Sequence, residues 1–241
     1  MKKLAPLLLL APLALGSCGL FNRAPKPVTT AGGTLMDAKV TYDANGNATT
    51  TYTAWSGGAG KVILDLYDYT AKTTVKEGET TLAADGKFGF ASLPTPKDSE
   101  LSGFTDDTQP TGCTGTIAPS DKSMRSASAR FRTDATKDVS VGLMSAAGKT
   151  EMMAELIYVD RAVKLSGKQT CTFPGRTTVS EVNVNFIKGW NWMTVKFTAG
   201  TNATDASTVT AISGLDSSLK WAQSVSSAQA LSLNALPFTL R

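Results

Sequence analysis

The chain has 241 residues, with Lys+Arg 24, Asp+Glu 20, three cysteines, no histidine, a formal charge of +4 and 41% hydrophobic residues. Without an imidazole there is no Ser-His-Asp or Cys-His couple, no HExxH zinc site and no His-ligated haem or copper. The apolar content is enough for one large core or two small ones.

Lys2 and Lys3 precede an apolar run over residues 4–15, which is too short to cross a bilayer and ends in small residues, as an export signal does. Leu15, Gly16, Ser17 and Cys18 resemble the lipobox of bacterial lipoproteins. The resemblance implies that residues 1–17 are removed as a lipoprotein signal peptide and that Cys18 carries acyl chains such as palmitate. At about 0.8 kcal/mol per buried methylene, two or three such chains hold a protein on a membrane durably. The competing reading is an ordinary secretory signal with an incidental cysteine. Gly19 stands where an Asp retains some lipoproteins on the inner membrane, so the resemblance implies an outer-membrane location in the cell envelope.

Residues 22–33 mix Pro, Gly, Thr and basic residues without periodicity, which predicts that 18–33 is a flexible tether. From Leu35 onward, runs rich in Val, Thr, Tyr, Phe and Trp alternate with Gly, Asn and Asp at intervals near ten residues, the rhythm of an all-β chain. Asn45-Gly46 predicts a hairpin turn, and residues 56–60 a second break. Residues 61–69 place Val62, Leu64 and Leu66 on one face and Ile63, Asp65 and Tyr67 on the other. Residues 80–83 and 87–91 form a further hairpin about Ala84-Asp85-Gly86, with Phe88 and Phe90 on one face, ended by Pro94 and Pro96. The run 82–94 resembles the closing hairpin of carboxypeptidase-regulatory-like, or transthyretin-like, β-sandwich modules, though it lacks the Gly-x-Tyr that usually follows Leu-Pro there. The resemblance reaches at most residues 34–97 and implies a non-catalytic module.

Residues 97–121 are polar and predict a linker or long loop, with a domain boundary near 105. Beyond it, strands are predicted over 123–133, 138–144, 151–159, 162–165, 180–187, 190–197, 209–212 and 231–240, with a short helix within 215–230. The resulting expectation is two small antiparallel β-sandwich modules, 34–104 and 105–241, behind the signal peptide and tether.

After acylation of Cys18 the even pair Cys113 and Cys171 remains, which in an oxidising compartment reads as one disulfide. The rival reading, a thiol nucleophile or metal pair, lacks a histidine base, a CxxC spacing and a third ligand. The clearest hairpin runs from Val182 through Lys188-Gly189 to Phe197. Met193, Val195 and Phe197 fall on one face, and Trp190, Trp192, Thr194 and Lys196 on the other. Its Gly-Trp-Asn turn is similar to turns in uncharacterised bacterial surface lipoproteins. Trp190 and Trp192 are therefore the binding candidates, for a sugar ring or a protein partner. The alternative is that they pack against the other domain, a loop or the 215–230 segment.

Other motifs are weaker. Asp43, Asn45 and Asn47 copy the spacing of calcium-loop oxygens, but Ala54 stands where the closing carboxylate belongs. Asp106 and Asp107 read as solvated charges. Ser217-Ser218-Leu219-Lys220 fits Ser-x-x-Lys without its companion motifs. There is no clustered Lys/Arg run for nucleic acid and no phosphate loop for a nucleotide. No catalytic residue, metal or cofactor is expected. The favoured reading is a lipid-anchored, non-catalytic envelope protein with a structural role or one in binding envelope proteins or glycans. Its alternative is an extracytoplasmic glycosidase or lyase using two carboxylates.

Overall fold

The computed structural model describes residues 26–104, 111–201 and 205–223, and it is all-β. The first half holds β1 (Ala31–Thr34), β2 (Met36–Tyr42), β3 (Ala48–Ala54), β4 (Gly60–Asp68), β5 (Thr73–Leu82) and β6 (Lys87–Phe90). A single 3-10 turn at Asp98–Glu100 leads to β7 (Ser102–Gly103) and β8 (Cys113–Pro119). Then follow β9 (Arg125–Ser128), β10 (Arg130–Asp134), β11 (Ser140–Gly148), β12 (Thr150–Val159), β13 (Val163–Phe173), β14 (Arg176–Phe186), β15 (Gly189–Thr198), β16 (Ser207–Ser213) and β17 (Lys220–Gln223).

The two larger of three apolar clusters among the described residues organise these strands, and β12 and β15 form the wall between them. Leu156 and Tyr158 of β12 and Trp190 and Trp192 of β15 face the first cluster. Ile157 and Val159 of β12 and Met193 and Val195 of β15 face the second. A strand alternates sides at every residue, so burial on both faces requires apolar residues at nearly every position, as in Leu156-Ile157-Tyr158-Val159. Around the second cluster the sheet runs β8, β13, β14, β16, β15, β12, antiparallel except where β16 lies parallel to β14.

The ladders cross residue 105. Lys61 to Asp65 of β4 pair with Arg130 to Asp134 of β10, and the turn end of β11 pairs with β3. The first cluster combines Val62, Leu64, Leu66, Phe88 and Phe90 with Phe131, Val141 and Trp221. Thus the segments expected as separate modules share one core.

Three further expectations are corrected. Residues 31–33 do not belong to the tether, because β1 pairs antiparallel with β6, Ala31 opposite Phe90, and Val28 bridges to Trp190. The expected loop over 97–121 contains β7 and β8. Within 215–230, Lys220–Gln223 is a strand held between β11 and β2, where ladder bonds and the burial of Trp221 and Ala222 override local preference. Residues 224–230, like the strand predicted over 231–240, lie outside the described residues.

Candidate functional site

The β2–β3 ribbon has one polar face. In its register Asp37 lies opposite Thr53, Lys39 opposite Thr51 and Thr41 opposite Thr49. The intervening Ala38 and Val40 turn inward, and Ala38 packs with Met144 and Ala222. Side chains tie this inner face to β11: the Tyr52 hydroxyl donates to Met144 O (2.6 Å), and Thr50 Oγ1 donates to Ala146 O while accepting from Ala146 N. Outside the ribbon, Asp37, Lys39, Thr41, Thr51, Thr53 and Lys137 border an open depression of about 530 Å³.

At its end sits a cluster of three polar groups. Ser56 Oγ donates to Asp37 Oδ2 at 2.5 Å, and Lys137 Nζ donates to both Asp37 oxygens (3.0 and 2.9 Å) and to Ser56 Oγ (2.6 Å). Lys137 also lies 5.5 Å from the centre of the Trp55 ring. The loop that carries Ser56 depends on Gly57, since a Cβ there would fall 2.0 Å from the buried Trp55 ring. Partial burial acts to raise the Asp37 carboxyl, but the Ser56 hydroxyl and the Lys137 ammonium outweigh it and hold the group below its ordinary value. A serine within reach of a lysine suggests a nucleophile and base. Asp37 accepts from both groups, so Ser56 and Lys137 are each bonded to its carboxylate as well as to one another. The arrangement is instead a fixed set of donors and acceptors, suited to holding a polar ligand.

A smaller apolar cleft lies under the ribbon, lined by Val40, Met144, Met153, Val195 and Phe197. Glu151 stands at it and accepts from the Tyr42 hydroxyl at 2.7 Å. Two turns of the pleat further along β12, Glu155 lies opposite Met193. Burial pushes its carboxyl up to about 7, against the pull of the Arg130 guanidinium.

The residues singled out in the sequence are dispersed. Trp190 is 4% exposed and its indole N–H donates to Pro94 O at 2.7 Å. Trp192 is half-buried and meets Trp221 edge-on. Of the two readings, packing is the one observed: Trp190 against a first-half loop, Trp192 against the 215–230 segment. Cys113 and Cys171 are joined as a disulfide directly across the β8–β13 ladder. Asp43 caps a turn, accepting from the backbone of Asn45 and Asn47. Ser218 is held by Asp216. Cys18, Asp106 and Asp107 lie outside the described residues. Among the described residues no three His, Cys, Asp or Glu side chains gather as a metal site. Carboxylates do come together around shared cations, Glu77 with Glu100 at Lys97 and Asp98 with Asp160 at Arg125. The Asp37 cluster is not marked in the sequence: Ser56 shows only as a Gly-rich break, and Lys137 is 81 residues away.

No family model, curated protein or solved structure matches the chain.

Proposed function

We propose that the chain is a lipid-anchored, non-catalytic protein of the bacterial cell envelope, outer membrane included, which binds a protein or glycan partner through the polar face of β2–β3. The observation that carries the anchor is Leu15-Gly16-Ser17-Cys18 behind a basic and apolar leader. The binding role rests on the groove at Asp37, Ser56 and Lys137, whose mutual hydrogen bonds fix donors and acceptors at one end of an open polar face. Polyhydroxyl ligands and peptide backbones present the donors and acceptors that such a face satisfies. The resemblance of residues 82–94 to a non-catalytic module agrees with this reading.

Two arms test it. Membranes from cells producing the wild type and Cys18→Ser are washed with carbonate, and the variant is expected in the wash. Crosslinking in the native cell, compared between wild type and Lys39→Glu with Thr51→Arg, is expected to lose a partner. Retention of Cys18→Ser on the membrane contradicts the anchor, and an unchanged crosslinking pattern contradicts the groove.

A further inference from the structure

We infer that one end of the domain, formed by the β4–β5 hairpin tip and the turns before β13 and β15, lies on an anionic bilayer surface. This inference rests on acylation at Cys18, and it adds which face meets the lipid.

The first described residues locate the tether. Pro27 packs on Gly189, Val28 N donates to Trp190 O (2.8 Å), and Thr29 O accepts from Leu93 N (2.8 Å). Only nine positions separate Pro27 from Cys18, a reach of at most about 30 Å when fully extended. The β4–β5 tip is at the same end. Beyond Leu93 the chain follows β5 toward that tip: Pro94 lies by Gly78, Lys97 Nζ bonds Glu77 at 2.5 Å, and Ser99 O accepts from Tyr69 N at 2.8 Å.

The tip suits an interface between water and lipid. Tyr67, 37% exposed, and Tyr69 stand edge-on with ring centroids 5.0 Å apart, and a tyrosine places an apolar ring and a polar tip across such a boundary. Part of the acidic charge of this end is paired within the protein: Arg125 bridges Asp98 and Asp160, and Arg161 bridges Asp160 and Asp121, while the backbone of Thr70 and Ala71 holds Asp68 as a turn cap. Lys72 and Lys188 are exposed and make no salt bridge among the described residues, which leaves their charge for anionic headgroups. The groove lies at the other end of β4, where Lys61 pairs with Asp134. Nine residues of strand, about 30 Å, separate it from the tip, so it faces away from the membrane.

The test uses the acylated full chain in phosphatidylethanolamine vesicles with phosphatidylglycerol as the anionic lipid, acylation being confirmed by mass. Single cysteines at Ala71→Cys and, at the far end, Asn45→Cys carry a fluorophore, and a quencher is placed in the acyl chains. The Ala71 label is expected to be quenched several-fold more than the Asn45 label, and Lys72→Glu with Lys188→Glu is expected to reduce the contrast. Equal quenching at both positions, or a contrast indifferent to the two lysines, overturns the orientation. Because acylation is established first, either outcome leaves the anchor itself standing.

Discussion

Trp192 of β15 and Trp221 of β17 meet at 72° with ring centroids 6.1 Å apart. Trp221 is also edge-on to Phe88 and Phe131, each at 5.1 Å, so one indole joins strands from both halves of the chain. Its N–H is satisfied by Gly32 O at 3.1 Å. Trp221→Ala removes these contacts and leaves a cavity, and about 3–5 kcal/mol of stability is expected to go with it. Urea unfolding checks this, and both halves are expected to lose structure in one transition because they share a core.

Reduction of the disulfide is expected to cost less than the fold. Cys113 and Cys171 close a separation of 58 residues, worth up to about 4 kcal/mol on the chain-entropy model. The β8–β13 ladder runs on from the cysteines to Pro119 and Leu165 and remains without the bond. Denaturation with and without reductant is expected to show a lowered midpoint with native circular dichroism in water.

Glu155 introduces a pH dependence of definite sign. Its folded carboxyl holds a proton up to about 7, above the ordinary 4.5, so the folded state binds more protons between those values. Stability from this group therefore falls as pH rises from about 4.5 to 7 and stays low above. Glu155→Gln is expected to stabilise the protein at pH 8 by up to about 3 kcal/mol, a tenfold change in proton affinity being worth about 1.4 kcal/mol, and to change little at pH 4. Thermal melts at the two pH values decide it.

Asp37 has the opposite sign. Its folded carboxyl lies below the ordinary 3.8, so the stability it contributes is present above that value and is lost as pH falls through the folded one. Lys137→Ala removes the cation and leaves burial unopposed except by Ser56. Acid unfolding of the variant is expected to begin at a higher pH than in the wild type, with about 1–2 kcal/mol lost near neutrality.

Much of the strand pattern is legible in the sequence, because alternation is a local signal. Val62, Leu64 and Leu66 are buried as their spacing predicts, as are Phe88 and Phe90, and the parity of Met193 and Val195 against Trp190 and Trp192 separates the two clusters. Ala31–Thr34 and Cys113–Pro119 are not legible as strands, since glycine and threonine dominate them and pairing alone makes them extended. Nor is the meeting of β4 with β10, where Asp65 accepts from Arg132 across 67 residues of chain. The second face of β4 is also hidden: Asp65 reads as a solvent residue until Arg132 covers it at 2.7 Å. The same distance in sequence conceals the groove, since Asp37 and Lys137 are 100 residues apart and neither belongs to a motif.

The most direct measurement is the intact mass of the protein extracted from the membranes of its own cells. The expected result is the mass of residues 18–241 plus the added mass of acyl chains on Cys18. A chain beginning elsewhere, or an unmodified Cys18, contradicts the lipid anchor on which the proposed role depends.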